Sequence, residues 1–368
     1  MAESHTARVV EVIQETPDAH SVVLEVKPEA VEQFSYKPGQ FLTVAVPSDE
    51  TGTVARCYSL ASAPYEGDLL KITVKRTQEG YGSNWICDNV GSGDELKVLA
   101  PSGIFTPMSL DADLLLFAGG SGITPVISIA KAALKNGSGR VVLLYANRDE
   151  KSVIFAPELT NLAEQHPDRF VVVHWLESVQ GLPTQEHIKT FAGPFTSYDS
   201  FVCGPAPFMK GVTSALKELG LPRERRHQEK FISLGGNPFG DETEDVSLDS
   251  DDETGEEPAE TPPGQTEVVK DAGGREAPAT VEVELDGEEH TFADWAADKP
   301  LLDLLLEKGL DAPFSCRQGQ CSACACRVLE GEVKMMHNEV LDDEDMAEGI
   351  RLACQSLPVT DIVKVSYQ

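Results

Sequence analysis

The sequence predicts a multidomain chain of mixed α/β and β class: a small antiparallel β-barrel, then a doubly wound parallel α/β sheet, then a third, β-rich domain behind an acidic spacer. Three observations predict it. Residues 7–108 read as short β-runs between turn residues, apolar strands alternate with helical segments from 113 onward, and period-two alternation returns near 278 after a stretch with no hydrophobic period. At 368 residues the chain is also too long for one ordinary core, given ~100–200 residues per domain. The expected boundaries are 1–108 for the barrel, 109–236 for the α/β sheet, 237–277 for the spacer and 278–368 for the last domain.

In the first domain the β-runs are ARVVEVIQET, SVVLEVK, QFLTVAV, DLLKITVKR and DELKVLA, broken by KPGQ, SDETG, YEGD and GSGD. Such regular spacing suits an antiparallel barrel. In the second, DLLLFAG, RVVLLYANR, RFVVVHWLE and YDSFVCG alternate with the helical stretches TPVISIAKAALKNG, FAPELTNLAEQ and PFMKGVTSALKELG. A parallel sheet built this way binds ligands at the carboxyl ends of its strands. In the last domain ATVEVELDGEEHTF alternates across an Asp286-Gly287 turn, a hairpin signal. A helix should follow, with Asp298 as its N-cap, Pro300 in its first turn and Gly309 as its stop. DIVKVSY closes the chain as a strand.

Composition excludes several functions. There are 61 acidic against 30 basic residues, a formal net charge of −31, which disfavours nucleic acid and anionic membranes as partners and favours a basic, soluble one. The 20-residue window 241–260 alone carries 11 acids and no Lys or Arg, and removing those charges leaves −20 for the rest. That window cannot bury enough apolar surface to offset the entropy of ordering. Read plainly it is a solvated spacer; a sharper reading makes it a tether that swings the last domain and steers it toward a basic docking face. No apolar run approaches ~20 residues and the N-terminus lacks a basic region followed by an apolar one, so the expected location is the cytoplasm.

The eight cysteines do not look like a disulfide framework, because four of them form one pattern. Cys316, Cys321, Cys324 and Cys354 follow C-x4-C-x2-C…C, the known plant-type [2Fe–2S] spacing. Two irons need four converging thiolates in a tight loop whose N–H groups turn inward, and Gly319, Ser322 and Ala323 are small where that is required. Structural zinc would prefer two C-x2-C knuckles, and free buried thiols rarely produce this spacing. Cys326, Cys57 and Cys87 read as core thiols.

Three further motifs point to bound ligands, the first two of them to phosphate. Arg56-Cys57-Tyr58-Ser59 ends a barrel strand, and Lys75-Arg76 precedes Gly80-Tyr81-Gly82-Ser83-Asn84 at a helix start: charge, exposed N–H groups and room for a backbone to approach an anion. Gly119-Gly120-Ser121-Gly122-Ile123-Thr124-Pro125 follows an apolar strand and opens a helix, with Thr124 as candidate N-cap and Pro125 at N1; it is not the G-x-G-x-x-G fingerprint. Cys203-Gly204-Pro205 sits just past the strand DSFV, at the edge where ligands bind.

Taken in order, R-x-Y-S, G-x-x-S/N, G-G-S-G-I-T-P and C-G-P resemble the ferredoxin–NAD(P)H reductase family over roughly residues 6–235. Residues 278–368 resemble a plant-type ferredoxin domain, with Ser322 where that family usually has Gly. Joined, they resemble the reductase components of multicomponent oxygenases. The resemblance implies a Greek-key flavin barrel, a NAD-binding sheet and a β-grasp ferredoxin domain. It implies that Arg56, Tyr58, Ser59 and Lys75 hold a flavin, with Gly82 and Ser83 at its pyrophosphate and Thr124 approaching from the nucleotide side. Gly119, Gly120, Gly122 and Pro125 would shape the dinucleotide pyrophosphate site, with Asn147 and Arg148 near the adenosine. Cys203 would stand at the hydride-transfer point beside Gly204 and Pro205, and Glu229 and Phe231 would return to the flavin. Asp149 and Glu150 beside Arg148 make a 2′-phosphate unwelcome, so NADH is the expected donor; FAD is expected, with FMN as the alternative. The implied activity is an NADH-dependent oxidoreductase passing electrons through flavin and a [2Fe–2S] cluster to a terminal oxygenase. The alternatives are another acceptor (an aromatic-ring or acyl-CoA oxygenase, or a hybrid-cluster protein) or a redox sensor without turnover.

Overall fold

The computed structural model describes residues 4–48, 52–78, 80–231, 238–239, 277–285, 287–310, 312–314 and 316–367. Nearly all of the spacer expected at 237–277, and Asp286 of the expected hairpin turn, lie outside the described residues. The chain divides into two compact units, one of Glu3–Val46 with Arg56–Phe231, the other of Met1–Ala2, Pro47–Ala55 and Ile232–Gln368.

Strands β1 (Ser4–Thr16), β2 (Ala19–Val26), β3 (Phe41–Ser48), β4 (Gly52–Ser59), β5 (Leu69–Lys75) and β6 (Glu95–Leu99) form an antiparallel sheet in the order β4-β3-β6-β1-β2-β5. β1 is long enough to pair with both β2 and β6, and register shifts at Val9/Glu11 and Gln14/Thr16 bend it between them. Just past β4, Leu60 bridges Ile72 of β5 and the Ala61 N–H reaches the Lys71 carbonyl at 2.7 Å, joining the two outermost strands. The sheet therefore closes as a barrel, which removes its edges. Helix α1 (Tyr81–Asn89) connects β5 to β6.

The parallel sheet comprises β7 (Leu114–Gly119), β8 (Val141–Asn147), β9 (Phe170–Leu176), β10 (Asp199–Cys203) and β11 (Arg226–Glu229), in the order β11-β10-β7-β8-β9. Its strands alternate between two cores. Leu114, Leu116 and Ala118 face α2 (Ile123–Asn136) and α3 (Ala156–Gln165), whereas Leu115 and Phe117 face α5 (Gln185–Ala192) and α6 (Ala206–Glu218); α4 (Glu177–Gln180) is a single turn after β9. The chain runs outward from β7 to β9 and then crosses to β10 on the other side of β7. Between β7 and β10 the winding reverses, and the crevice at that switch point is where such sheets bind ligands.

Helix α2 corrects the expected cap. It is preceded by a 3₁₀ turn, Gly120–Gly122, and its N-cap is Gly122. The Thr124 hydroxyl does not cap; it donates to the Ser121 carbonyl at 3.0 Å. Pro125 is the third helical residue rather than the first, still within the turn where a missing N–H is harmless.

The second unit holds β12 (Ala279–Leu285), β13 (Glu288–Trp295), α7 (Leu301–Glu307), β14 (Ala325–Glu330), β15 (Val333–Met335), α8 (Asp343–Ala347), β16 (Ile350–Leu352), β17 (Ser356–Pro358) and β18 (Ile362–Ser366). The main sheet runs β13-β12-β18-β14-β16, with β12 and β18 parallel and the other pairs antiparallel, and β15 pairs with β17 alone. Trp295, Leu301, Leu302, Leu304 and Leu305 fill its core. Here too the helix start shifts: Pro300, not Asp298, is the N-cap, its carbonyl accepting from Asp303 and Leu304 at 3.1 and 3.2 Å. A residue before proline is driven out of the helical region, so Lys299 cannot be helical and the helix cannot begin at 298. The stop at Gly309, φ +78°, is where it was expected. Among the described residues no helix is long and apolar enough to cross a membrane.

Candidate functional site

Strand β4 delivers the first cluster of site residues. Ser59 is buried, Tyr58 is partly buried, and loss of water pushes the Tyr58 phenol up. A methyl group on Gly82 would lie 2.9 Å from Arg56 Cγ and 3.1 Å from Nε, so the arginine stem crosses the first turn of α1 where only glycine leaves room. A guanidinium laid across a helix start is an anion cradle, and it fits a flavin phosphate. Ser83 is held locally, its hydroxyl accepting from the Thr77 N–H at 3.1 Å. Cys57 and Cys87, expected as core thiols, are only partly buried and lie against Thr43 Oγ1 and the Val74 carbonyl.

The second cluster lies at the switch point. Gly119, Gly122 and Gly204 are required by backbone packing: a Cβ on Gly122 would sit 2.2 Å from the Cys203 carbonyl oxygen, one on Gly204 2.9 Å from Gly119 Cα, and one on Gly119 2.8 Å from Pro205 Cδ. The two motifs GGSG and CGP are thus interlocked, and this opens the crevice floor. Gly120, φ +53°, is glycine for its backbone, and its carbonyl accepts from the buried Tyr145 hydroxyl at 3.1 Å. A Cβ there would lie 3.5 Å from Lys75 Nζ, which places the barrel lysine over the phosphate loop.

Cys203 and Glu229 end adjacent strands and are paired in register. Both are buried; desolvation raises Glu229 to about 8, and desolvation together with the Glu229 charge holds the Cys203 thiol well above its ordinary value. The pair is therefore mostly uncharged at neutral pH, as suits a site for a nicotinamide ring. Phe231, two residues on, is 49% exposed and is not gathered into the buried edge.

At the end of β8 the Asn147 amide is buried beside Tyr145, with neither amide atom making a well-formed hydrogen bond among the described residues. Beyond its contact with Tyr145, such a buried amide at a sheet's carboxyl edge has hydrogen-bonding capacity left for a ligand. Arg148 turns instead to Asp18, donating to its carboxylate at 2.7 Å, while Lys75 stands 3.9 Å from the same oxygen. Burial would raise Asp18, but the Thr16 hydrogen bond and the two cations outweigh it and hold the carboxyl low. Asp18 was missed by sequence reasoning; its only signal is the T-P-D turn between β1 and β2. Asp149 caps the next turn through the Ser152 N–H and hydroxyl, and that hydrogen bonding keeps it ionised, which suits NADH better than a 2′-phosphate.

The third cluster is the cysteine loop. Cys316, Cys321, Cys324 and Cys354 are all buried. The Cys316 and Cys321 thiols interact, as do those of Cys324 and Cys354, and the four also influence one another across the two pairs. Among the described residues no group of three or more His, Cys, Asp or Glu side chains is arranged to hold a metal ion. The Cys316 N–H points at Cys321 Sγ and the Gln318 N–H at Cys316 Sγ, both at 3.4 Å, so the inward donors expected of a cluster loop are present. Gly319, φ +76°, makes that turn, and a Cβ on it would lie 2.7 Å from the His337 carbonyl oxygen. Cys326 is a buried core thiol, pushed up to about 12 by burial.

Comparison with known proteins agrees with this division. Residues 6–106 match the family model of the oxidoreductase FAD-binding domain, 116–214 that of the oxidoreductase NAD-binding domain, and 283–359 that of the 2Fe-2S iron-sulfur cluster binding domain. The chain is 54% identical over 356 residues to the 3-ketosteroid-9-alpha-monooxygenase, ferredoxin reductase component, of Rhodococcus rhodochrous, covering 97% of this chain and 95% of that one. The protein of the same name from Mycolicibacterium smegmatis is 50% identical over 364 residues, 98% and 96% of the two chains. In fold the chain is similar to phthalate dioxygenase reductase, with TM-score 0.54, 23% identity and coverage of 99% and 98%. With barrel, switch-point crevice and cysteine loop in one order along the chain, this protein belongs to the family of oxygenase ferredoxin reductase components that carry FAD-binding, NAD-binding and 2Fe-2S domains.

Proposed function

We propose that the chain is the NADH-dependent reductase of a 3-ketosteroid 9α-monooxygenase, working in the cytoplasm in steroid degradation and meeting a Rieske-type terminal oxygenase in a transient complex without membrane attachment. The observation that carries the acceptor is the 54% identity along nearly the whole chain to a reductase of that name. When bound, FAD would supply the conversion between the two-electron chemistry of NADH and the one-electron chemistry of a [2Fe–2S] cluster held by Cys316, Cys321, Cys324 and Cys354.

The protein's work is placement. Arg56 at the start of α1, with Gly82 and Ser83, holds the flavin pyrophosphate; Tyr58 and Ser59 line its ring and ribityl chain, and Lys75 adds charge where the two cofactors' phosphates approach. Gly119, Gly120, Gly122, Thr124 and Pro125 give the dinucleotide a backbone floor, and Gly204 and Pro205 let the nicotinamide lie close. Asn147 offers its amide to the adenosine half, and Arg148 leaves Asp18 to join it. Cys203 and Glu229, buried and mostly neutral, exclude water from the point of transfer, and the exposed Phe231 returns toward the flavin. Cys316, Cys321, Cys324 and Cys354 bind the cluster as two pairs.

The test is reconstitution. Anaerobic NADH should bleach flavin and cluster together, and the reduced protein should support 9α-hydroxylation by a 3-ketosteroid oxygenase. NADH bleaching without steroid product, but with product from an aromatic-ring or acyl-CoA oxygenase, would reassign the acceptor. No bleaching would leave a redox sensor.

A further inference from the structure

Helix α2 carries polar side chains in an almost wholly buried setting. Thr124, Ser128 and Lys131 are each no more than 2% exposed, and their spacing puts them on one face of the helix. That face meets the segment leading out of β4. Ser128 Oγ donates to the Ser62 carbonyl at 2.6 Å, and Lys131 Nζ donates to Glu66 Oε2 at 2.8 Å and to Glu158 Oε1 at 3.0 Å. The Tyr65 hydroxyl donates to the Lys131 carbonyl at 3.2 Å. Lys71 of β5 completes a set of two cations and two anions, donating to Glu158 Oε2 at 3.0 Å. Ser62 is fixed in turn, its hydroxyl accepting from Tyr36 at 2.8 Å and from the Lys71 N–H at 3.0 Å.

Two runs therefore lie side by side. One goes from the proposed flavin strand, Tyr58 and Ser59, through Ser62 to Glu66; the other from the dinucleotide loop, Thr124, through Ser128 to Lys131. The rungs are hydrogen bonds and a chain of ion pairs, Glu66–Lys131–Glu158–Lys71, set beside an apolar cluster that joins Ala61 to Val126, Ile127 and Ala130 of α2. The Lys131 side chain is 3% exposed while Glu66 and Glu158 are 34% and 28% exposed, so a slip in register would leave the buried ammonium unpaired away from water.

We propose that this polar seam sets the register between the barrel and the nucleotide sheet, so that Lys131, about 10 Å along α2 from Thr124, is a positioning residue for hydride transfer from NADH to flavin. The inference rests on the function proposed above and says which residues hold the two cofactors in reacting geometry. Lys131 touches neither cofactor site; it acts through α2 and Glu66.

The experiment uses full-length, FAD-loaded protein and compares Lys131→Met, Lys131→Arg and the milder Glu66→Gln. Stopped-flow bleaching of the flavin at saturating NADH should slow at least tenfold in Lys131→Met and several-fold in Glu66→Gln, with KM for NADH changed less than twofold. The long-wavelength charge-transfer absorbance that reports nicotinamide stacked on flavin should weaken in parallel. Lys131→Arg should restore both. A Lys131→Met protein, or a Glu66→Gln protein where the first does not fold, that melts earlier yet bleaches at the wild-type rate with full charge-transfer absorbance would overturn the proposal. Wild-type protein that binds FAD and is not bleached by NADH would instead overturn the function on which it rests.

Discussion

Glu229 ends β11 beside Cys203, and burial lifts it from 4.5 to about 8. A carboxyl with a raised folded-state value binds its proton more tightly when folded, so its stabilising effect is full at low pH and is lost as pH rises from the unfolded value through the folded one. Between pH 4.5 and about 8 the wild-type protein should lose stability that Glu229→Gln retains, by a few kcal/mol, since each tenfold change in proton affinity is worth about 1.4 kcal/mol. Thermal melts of FAD-loaded wild-type and variant proteins across that range check it, and parallel curves would show that the carboxyl is solvated after all. Gln355 bears on the cluster in a different way. It is buried, donates to the Arg317 carbonyl at 3.0 Å and to Cys354 Sγ at 3.6 Å, and so clips the strained loop residue Arg317, φ +57°, to the fourth ligand. A donor to a ligating sulfur favours the reduced, more negative cluster. Gln355→Leu should therefore lower the reduction potential, by up to roughly tenfold in the redox equilibrium or about 59 mV for one electron. An EPR-monitored titration reads this directly, and an unchanged midpoint would assign Gln355 to loop packing alone.

At the level of elements, the glycine turn after β7 was legible and its reason was not. Strand, glycine turn and helix could be read from DLLLF, GGSG and ITPVISIAKAAL, because each follows from local propensity. What the glycines avoid could not, since they face Cys203, Gly204 and Pro205, and nothing local in a chain states that β7 and β10 are neighbours. The same blindness put the α2 cap on Thr124 and the α7 cap on Asp298: residue type favoured both, and the backbone of Gly122 and the restriction before Pro300 decided otherwise. Two glycines should accordingly behave in opposite ways. Gly122→Ala must displace the Cys203 carbonyl, 2.2 Å from the new methyl, and should cost about 3 kcal/mol or more together with NADH-dependent bleaching. Gly211→Ala, inside α6, meets nothing nearer than Ile188 Cδ1 at 3.6 Å and should stabilise by about 0.5–1 kcal/mol. Chemical denaturation of both variants tests the contrast; a destabilising Gly211→Ala would mean that the α5–α6 face has no room for the methyl.

Over the whole molecule, sequence reasoning saw the division into barrel, parallel sheet and ferredoxin-like fold, because each has its own hydrophobic period. It did not see Asp18 joining Lys75 to Arg148, or the seam of Ser62, Glu66, Ser128 and Lys131. Those residues meet only after distant segments have folded, and singly each reads as an ordinary surface side chain. Net charge belongs to this scale as well, since it is a property of the sum. A chain at −31 acts at long range on a protein partner, whereas NADH entering the crevice responds mainly to groups within about a Debye length, ~8–10 Å, such as Arg56, Lys75 and Arg148. Added salt should therefore depress oxygenase-coupled turnover steeply while changing the NADH bleaching rate little. The window 241–260 supplies 11 of the acids. If it contributes to steering, deleting it should flatten the salt dependence of coupled turnover and leave NADH bleaching as it was. Equal slopes with and without those residues would place the steering charge on the folded domains, and a coupled rate insensitive to salt in both proteins would reject a basic docking face on the oxygenase.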